Sequence, residues 1–283
     1  MSRLTYLAAA LNLALVASLI ACSSPGPRTS SSANGAGTST GSSSTSLPGS
    51  ASSASPSLAP PADRCGPPEN RAARTITLTG PGGSTMPGVD VGVGATVAVL
   101  VHQTDNASCG WWPFADWLAT THHGRALIFD LCGFGDSTCP DQAFATDQVA
   151  QAATAVRWAR SHGARRVVLV GASMGGSIAV DTAVATHANA VVDLSGPAQW
   201  QQLNIARTAP RLTMPTLIAV SRNDPASYTD LAAAFARVPA LAKKFVTGPG
   251  PHGWDLIADT SGRTPIWSPL ATTVADWIAG RYH

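Results

Sequence analysis

One stretch constrains this chain more than any other. Arg166-Val167-Val168-Leu169-Val170 is a strong strand run, and it leads directly into Gly171-Ala172-Ser173-Met174-Gly175-Gly176. From Met174 to about His187 the apolar positions then fall at helical spacing. A strand that is apolar throughout must be covered on both faces, which is the habit of parallel sheets. The same alternation runs along the chain. Thr75–Thr79 reads as a first strand, Val97–Val101, Ala126–Phe129, Ala190–Leu194 and Thr216–Val220 as buried strands, and Lys244–Val246 as a last one. Trp111–Thr121, Phe144–His162, Ser227–Val238 and Pro269–Gly280 read as helices. Strand and helix in turn imply an α/β fold, with a mostly parallel twisted sheet and helices on both faces. In such sheets ligands sit beyond the carboxyl ends of the strands, so the chemistry should come from residues just after strands.

The beginning of the chain has a different character. After Arg3, Leu4–Ala21 is apolar but for Thr5, Asn12 and Ser18, the layout of an export signal. A retained membrane-spanning helix is the alternative, since the run approaches the required length. Leu19-Ile20-Ala21-Cys22 closes the apolar run and resembles a bacterial lipobox, whose cysteine becomes the lipidated first residue. Residues 1–22 are therefore expected to be a lipoprotein signal, with Cys22 as the anchor to a membrane outside the cytoplasm. Residues 23–63 are dominated by Ser, Gly, Pro, Thr and Ala and cannot bury enough surface to offset ordering. They read as a flexible tether with a reach of roughly 35 Å. Residues 64–283 remain for one domain with a full core.

Charge excludes some functions. The net charge is +2 and is spread without a basic stripe, so no nucleic-acid footprint exists. Glu69 is the sole Glu, so a catalytic carboxylate must almost always be an Asp. Besides Cys22 there are four cysteines, Cys65, Cys109, Cys132 and Cys139. An even number in an exported chain suggests two disulfides, with three possible connectivities. Cys132 with Cys139 would close a short loop and leave Cys65 with Cys109. The spacing does not fit a zinc site, and no metal or organic cofactor is implied. Nothing in the pattern fixes an oligomeric state.

Gly171-Ala172-Ser173-Met174-Gly175 fits G-x-S-x-G between a strand and a helix, the context in which that motif carries meaning. The turn is so tight that small residues are needed on either side, and it lifts the Ser173 hydroxyl into the open. Upstream, Asp130-Leu131-Cys132-Gly133-Phe134-Gly135-Asp136-Ser137 resembles a D-x-R-G-x-G-x-S loop with Cys132 where Arg is usual. On these two motifs, the chain from about Thr75 to Trp277 resembles a small α/β-hydrolase of the capless esterase or dienelactone-hydrolase-like kind.

That resemblance implies a triad in the order Ser, acid, His. Only His187, His252 and His283 follow Ser173. His187 ends the helix of the elbow and His283 is terminal. His252, in Gly248-Pro249-Gly250-Pro251-His252-Gly253-Trp254, follows the last strand, where the general base belongs. Asp224 follows Thr216–Val220 and is the implied acid; as N-cap of the next helix, ahead of Pro225, it would have a structural role instead. Asp193 is its rival. The oxyanion hole would take the Met174 N–H and a second donor from His102-Gln103-Thr104. Thr104 is placed for it by position and Gln103 comes second, because Gln103 stands where relatives have Gly.

Between Leu194 and the next strand only Ser195–Met214 is available, too little for a large cap. One short helix around Gln199–Ile205 and an open site are expected. Trp111, Trp112, Trp200 and Trp254 could line an acyl or aromatic pocket, or simply pack. The expected function is a serine hydrolase cleaving carboxylic esters through an acyl-enzyme, with the chain length of the acyl group and the leaving group left open. The alternatives are a peptidase or acyltransferase acting on the cell envelope, and a non-catalytic binding lipoprotein on the same fold.

Overall fold

The computed structural model describes Cys65 and residues 73–105, 107–224 and 227–283. The expected signal with Cys22, the tether and Pro225 lie outside the described residues. In chain order the elements are β1 (Arg74–Thr79), β2 (Thr85–Gly92), β3 (Thr96–Val101), α1 (Trp112–Thr121), β4 (Arg125–Phe129), α2 (Gln142–Thr146) and α3 (Gln148–Ser161). Then come β5 (Arg166–Ala172), α4 (Met174–Thr186), β6 (Ala190–Leu194), β7 (Gln199–Trp200), β8 (Leu203–Asn204), α5 (Ile205–Thr208) and β9 (Thr216–Val220). The chain closes with α6 (Tyr228–Ala236), β10 (Lys243–Thr247), β11 (Ala258–Asp259), β12 (Ile266–Trp267) and α7 (Pro269–Ala279).

Eight strands form one sheet in the order β1-β2-β4-β3-β5-β6-β9-β10. β2 runs antiparallel to both β1 and β4, and every other pairing is parallel. Alternate residues of β3 show why its apolar run is continuous. Val97, Val99 and Val101 join one buried cluster with α3 and α4, whereas Ala98 and Leu100 join the other with α1 and α7. Each face of the sheet thus has its own core.

The structure departs from the sequence reading at four places. β2 was not among the expected strands; Gly88 is needed there, since a Cβ would lie 2.5 Å from the Ile128 carbonyl. The expected helix Phe144–His162 is two helices broken at Asp147, whose side chain caps α3 by accepting from the Ala150 N–H at 2.9 Å. The short helix expected near Gln199 is the β7–β8 ribbon, turning at Gln201 with φ of 49°, followed by the single turn α5. A second ribbon, β11–β12, was not foreseen at all.

Both cysteine pairs sit at bonding distance as Cys65–Cys109 and Cys132–Cys139, with Cα separations of 4.7 and 5.8 Å. The second closes the Asp130 loop. Asp130 is buried and accepts from Ser108 N–H at 3.0 Å and from Asp136 N–H at 3.2 Å. Gly135, with φ of 53°, leaves room for that carboxylate: a Cβ would lie 2.0 Å from it.

Candidate active site

β5, the fourth strand from the β10 end of the order given above, ends at the elbow. Ser173 has φ of 51° and ψ of −125°, a conformation that costs a non-glycine residue about 1–3 kcal/mol. The turn holds it there: Ser173 N–H donates to the Leu194 carbonyl at 2.8 Å, and its own carbonyl accepts from Gly176 N–H at 2.7 Å. The glycines are required by space. A Cβ on Gly171 would lie 1.9 Å from the Gly175 carbonyl oxygen, and one on Gly175 would lie 2.1 Å from that of Val101.

The loops after β9 and β10 bring two further side chains to Ser173. His252 Nδ1 lies 2.7 Å from Asp224 Oδ2, and His252 Nε2 lies 2.7 Å from Ser173 Oγ. An ionised carboxylate only accepts, so Nδ1 carries the proton and Nε2 is left to accept from the hydroxyl. Asp224 is buried, while the imidazole is 42% exposed and reachable from solvent. The N-cap role considered for Asp224 is not taken by its side chain. α6 begins after Ser227, and only the Asp224 backbone carbonyl enters the helix, accepting from Tyr228 N–H at 2.9 Å.

Asp193, the rival acid, goes elsewhere. It is fully buried in β6, where Oδ1 accepts from Gly196 N–H at 2.7 Å and Oδ2 has no partner. Burial pushes its carboxyl up to about 7. His187 caps the end of α4, and the carbonyl of the terminal His283 accepts from Lys244.

Met174 is the first residue of α4 and is buried. On the facing loop, the buried His102 donates from Nδ1 to the Gln103 carbonyl at 2.6 Å and accepts from Leu131 N–H on Nε2 at 3.1 Å. Burial holds this imidazole below its ordinary value, which matches the neutral tautomer that the two bonds require. The Gln103 carbonyl and the Thr104 N–H share one planar trans peptide, so fixing the carbonyl on His102 aims the Thr104 N–H the opposite way. The Gln103 side chain accepts from Trp254 N–H at 3.4 Å and donates to Asp105 at 3.2 Å. It thereby ties the loop after β3 to the His252 loop, a contact that sequence reasoning missed. Asp255 on that loop has its carboxyl raised by burial and then by Asp105, with His252 opposing.

The four tryptophans separate. Trp111 and Trp112 are buried, with Trp111 donating to the Val101 carbonyl. Trp200 donates to Gln148, which in turn reaches the Met174 sulfur, so the β7–β8 ribbon braces the elbow from behind. Trp254 meets Trp111 edge-to-face at 5.9 Å. Among the described residues no group of three or more His, Cys, Asp or Glu is placed to hold a metal ion.

Residues 98–281 match the model of the alpha/beta hydrolase family. The chain belongs to that family. Its fold is similar to an esterase from Pyrococcus furiosus at 12% identity and a TM-score of 0.61, covering 75% of this chain and 92% of that one. It is also similar to a thermophilic esterase from Thermogutta terrifontis at 15% identity and a TM-score of 0.58, covering 74% and 100%. The thioesterase domain from a curacin biosynthetic pathway matches at 14% identity and 0.56, covering 74% and 99%. No curated protein matches the chain in sequence.

Proposed function

We propose that this chain is a serine hydrolase that cleaves carboxylic esters through an acyl-enzyme. The observation that carries the reading is the continuous Asp224–His252–Ser173 relay, with both links at 2.7 Å. His252 takes the Ser173 proton as Oγ attacks the carbonyl, and Asp224 stabilises the imidazolium. The oxyanion is met by the Met174 N–H and a second donor, the Thr104 N–H ahead of Gln103. His252 then returns the proton to the leaving alcohol, activates a water, and the acyl group departs as the acid. The short 195–215 connection favours small, freely approaching esters. Lipidation of Cys22 and export complete the proposal; the lipobox-like sequence supports them, and two disulfides suit an oxidising compartment.

The test is Ser173→Ala assayed with p-nitrophenyl butyrate and labelled with a fluorophosphonate. Turnover should fall by about 10⁴-fold or more, and labelling should vanish, with circular dichroism unchanged. Full activity in the variant sinks the assignment. Labelling at Ser173 without ester turnover would turn the reading toward amides or envelope acyl groups.

A further inference from the structure

Beside the His252 loop lies an aromatic cavity that the relay does not use. Its walls are the helical turn Ala107–Trp111, the first turn of α1, the turn Gly253–Leu256 and the β11–β12 ribbon. Trp111, Phe114, Trp254 and Trp267 give it aromatic sides, with Pro113 and Ile257 between them. The sides are fixed in place. Phe114 meets Trp267 at 6.0 Å, and Trp267 stacks on Trp117 at 4.8 Å. Trp254 lies on Gly110 so closely that a Cβ there would sit 1.7 Å from its ring. Thr260 adds a hydroxyl to the described lining.

Size and place select an occupant. The cavity measures about 180 Å³. A cavity of about 150 Å³ holds a benzene ring, so this one has room for a single six-membered ring. Trp254 follows His252 by two residues, which limits the Cα separation to about 7 Å. The cavity therefore shares a loop with the relay's imidazole, with Trp254 as its wall on that side.

We propose that this cavity is a specificity site for an aromatic ring on the substrate, making aryl-bearing esters the preferred class. The inference rests on the ester-hydrolase reading above. The ring could enter on the acyl side or on the alcohol side, and the two share this recognition chemistry.

The test uses Ser173→Ala, so that the ester is bound and not cleaved, with calorimetric titration of methyl phenylacetate, benzyl acetate and methyl acetate. At least one aryl ester should bind ten-fold or more tightly than methyl acetate; which one does so assigns the ring to the acyl or the alcohol side. Adding Ala258→Phe, which fills the cavity from β11, should remove that preference. With Ser173 intact, the same substitution should lower the kcat/KM ratio of aryl ester over methyl acetate at least ten-fold. If Ala258→Phe does not fold, Trp267→Ala, which removes one wall, serves the same comparison. Equal binding of all three esters overturns the proposal, as does an unchanged ratio in the folded variant. Aryl binding without any esterase activity or fluorophosphonate labelling would overturn the hydrolase reading and leave the ring site standing. Ester turnover without aryl preference would do the reverse.

Discussion

Two carboxylates belong to neighbouring strands of one sheet, and they have opposite fates. Asp193 lies inside β6, in register with Gly171 on one side and Ile218 on the other. Asp224 lies past the end of β9, beyond Val220. The residue inside the strand is sealed between the sheet and α4, with one oxygen unpartnered. The residue beyond the strand end is buried too, but it meets His252. The difference teaches that a strand's carboxyl end, not burial or residue type, decides which acid can serve a site in this fold. The sharpest way to break the comparison is to remove each acid in turn. Asp224→Asn removes the charge that fixes the His252 tautomer and stabilises the imidazolium, and should lower kcat by about 10⁴-fold. Asp193→Asn should leave kcat within a few-fold. A steady-state assay giving the reverse order would make Asp193 the acid and the observed relay incidental.

The second prediction concerns stability and turns on Asp193. Its folded carboxyl sits at about 7, well above the ordinary value of 3.8 from which burial raises it. Between those values the folded chain binds a proton that the unfolded chain has lost, so stability must fall as pH rises. Below the window both states are protonated, and above it the full cost of the buried charge is present. Within the window each pH unit is worth about 1.4 kcal/mol at most. Urea midpoints measured at pH 5 and pH 7 should therefore drop in the wild type. In Asp193→Asn this part of the slope should vanish. An identical slope in the variant would show that Asp193 is charged and solvated through the window.

The sequence makes the two acids easy to find and their difference hard to see. Ser173 and Asp224 each follow a strand whose apolar run is continuous, and His252 follows the last strand, so all three could be placed past strand ends before any coordinates. What could not be read depends on contacts from far along the chain. Gln103 reaches the backbone of Trp254, and no local pattern announces such a bond. β2 was hidden because Pro87 and Gly88 look like turn residues, although one edge of the sheet needs Gly88 for close approach. β11 and β12 are too short for an alternation to register, and the Thr260–Pro265 stretch between them is rich in turn formers. The break at Asp147 did carry a signal, an Asp three residues ahead of Ala150. The Ala-rich periodicity on both sides masked it.

The smallest expected effect tests why Asp193 is where it is. A Cβ on Gly176 would lie 2.1 Å from Asp193 Oδ1 and 2.9 Å from the Gly196 Cα. Gly176→Ala should therefore destabilise the fold by about 1–3 kcal/mol despite the better helix propensity of Ala. If the carboxylate is the main obstruction, the cost should shrink in an Asp193→Ala background, and a double-mutant cycle of urea midpoints would read the coupling. Gly171→Ala gives the contrast, because its obstruction is the Gly175 backbone, which no substitution at Asp193 can relieve. Equal costs for Gly176→Ala in both backgrounds would assign the crowding to Gly196. Asp193 would then be a passenger of the elbow's packing, and the contrast with Asp224 would rest on the loop after β9 alone.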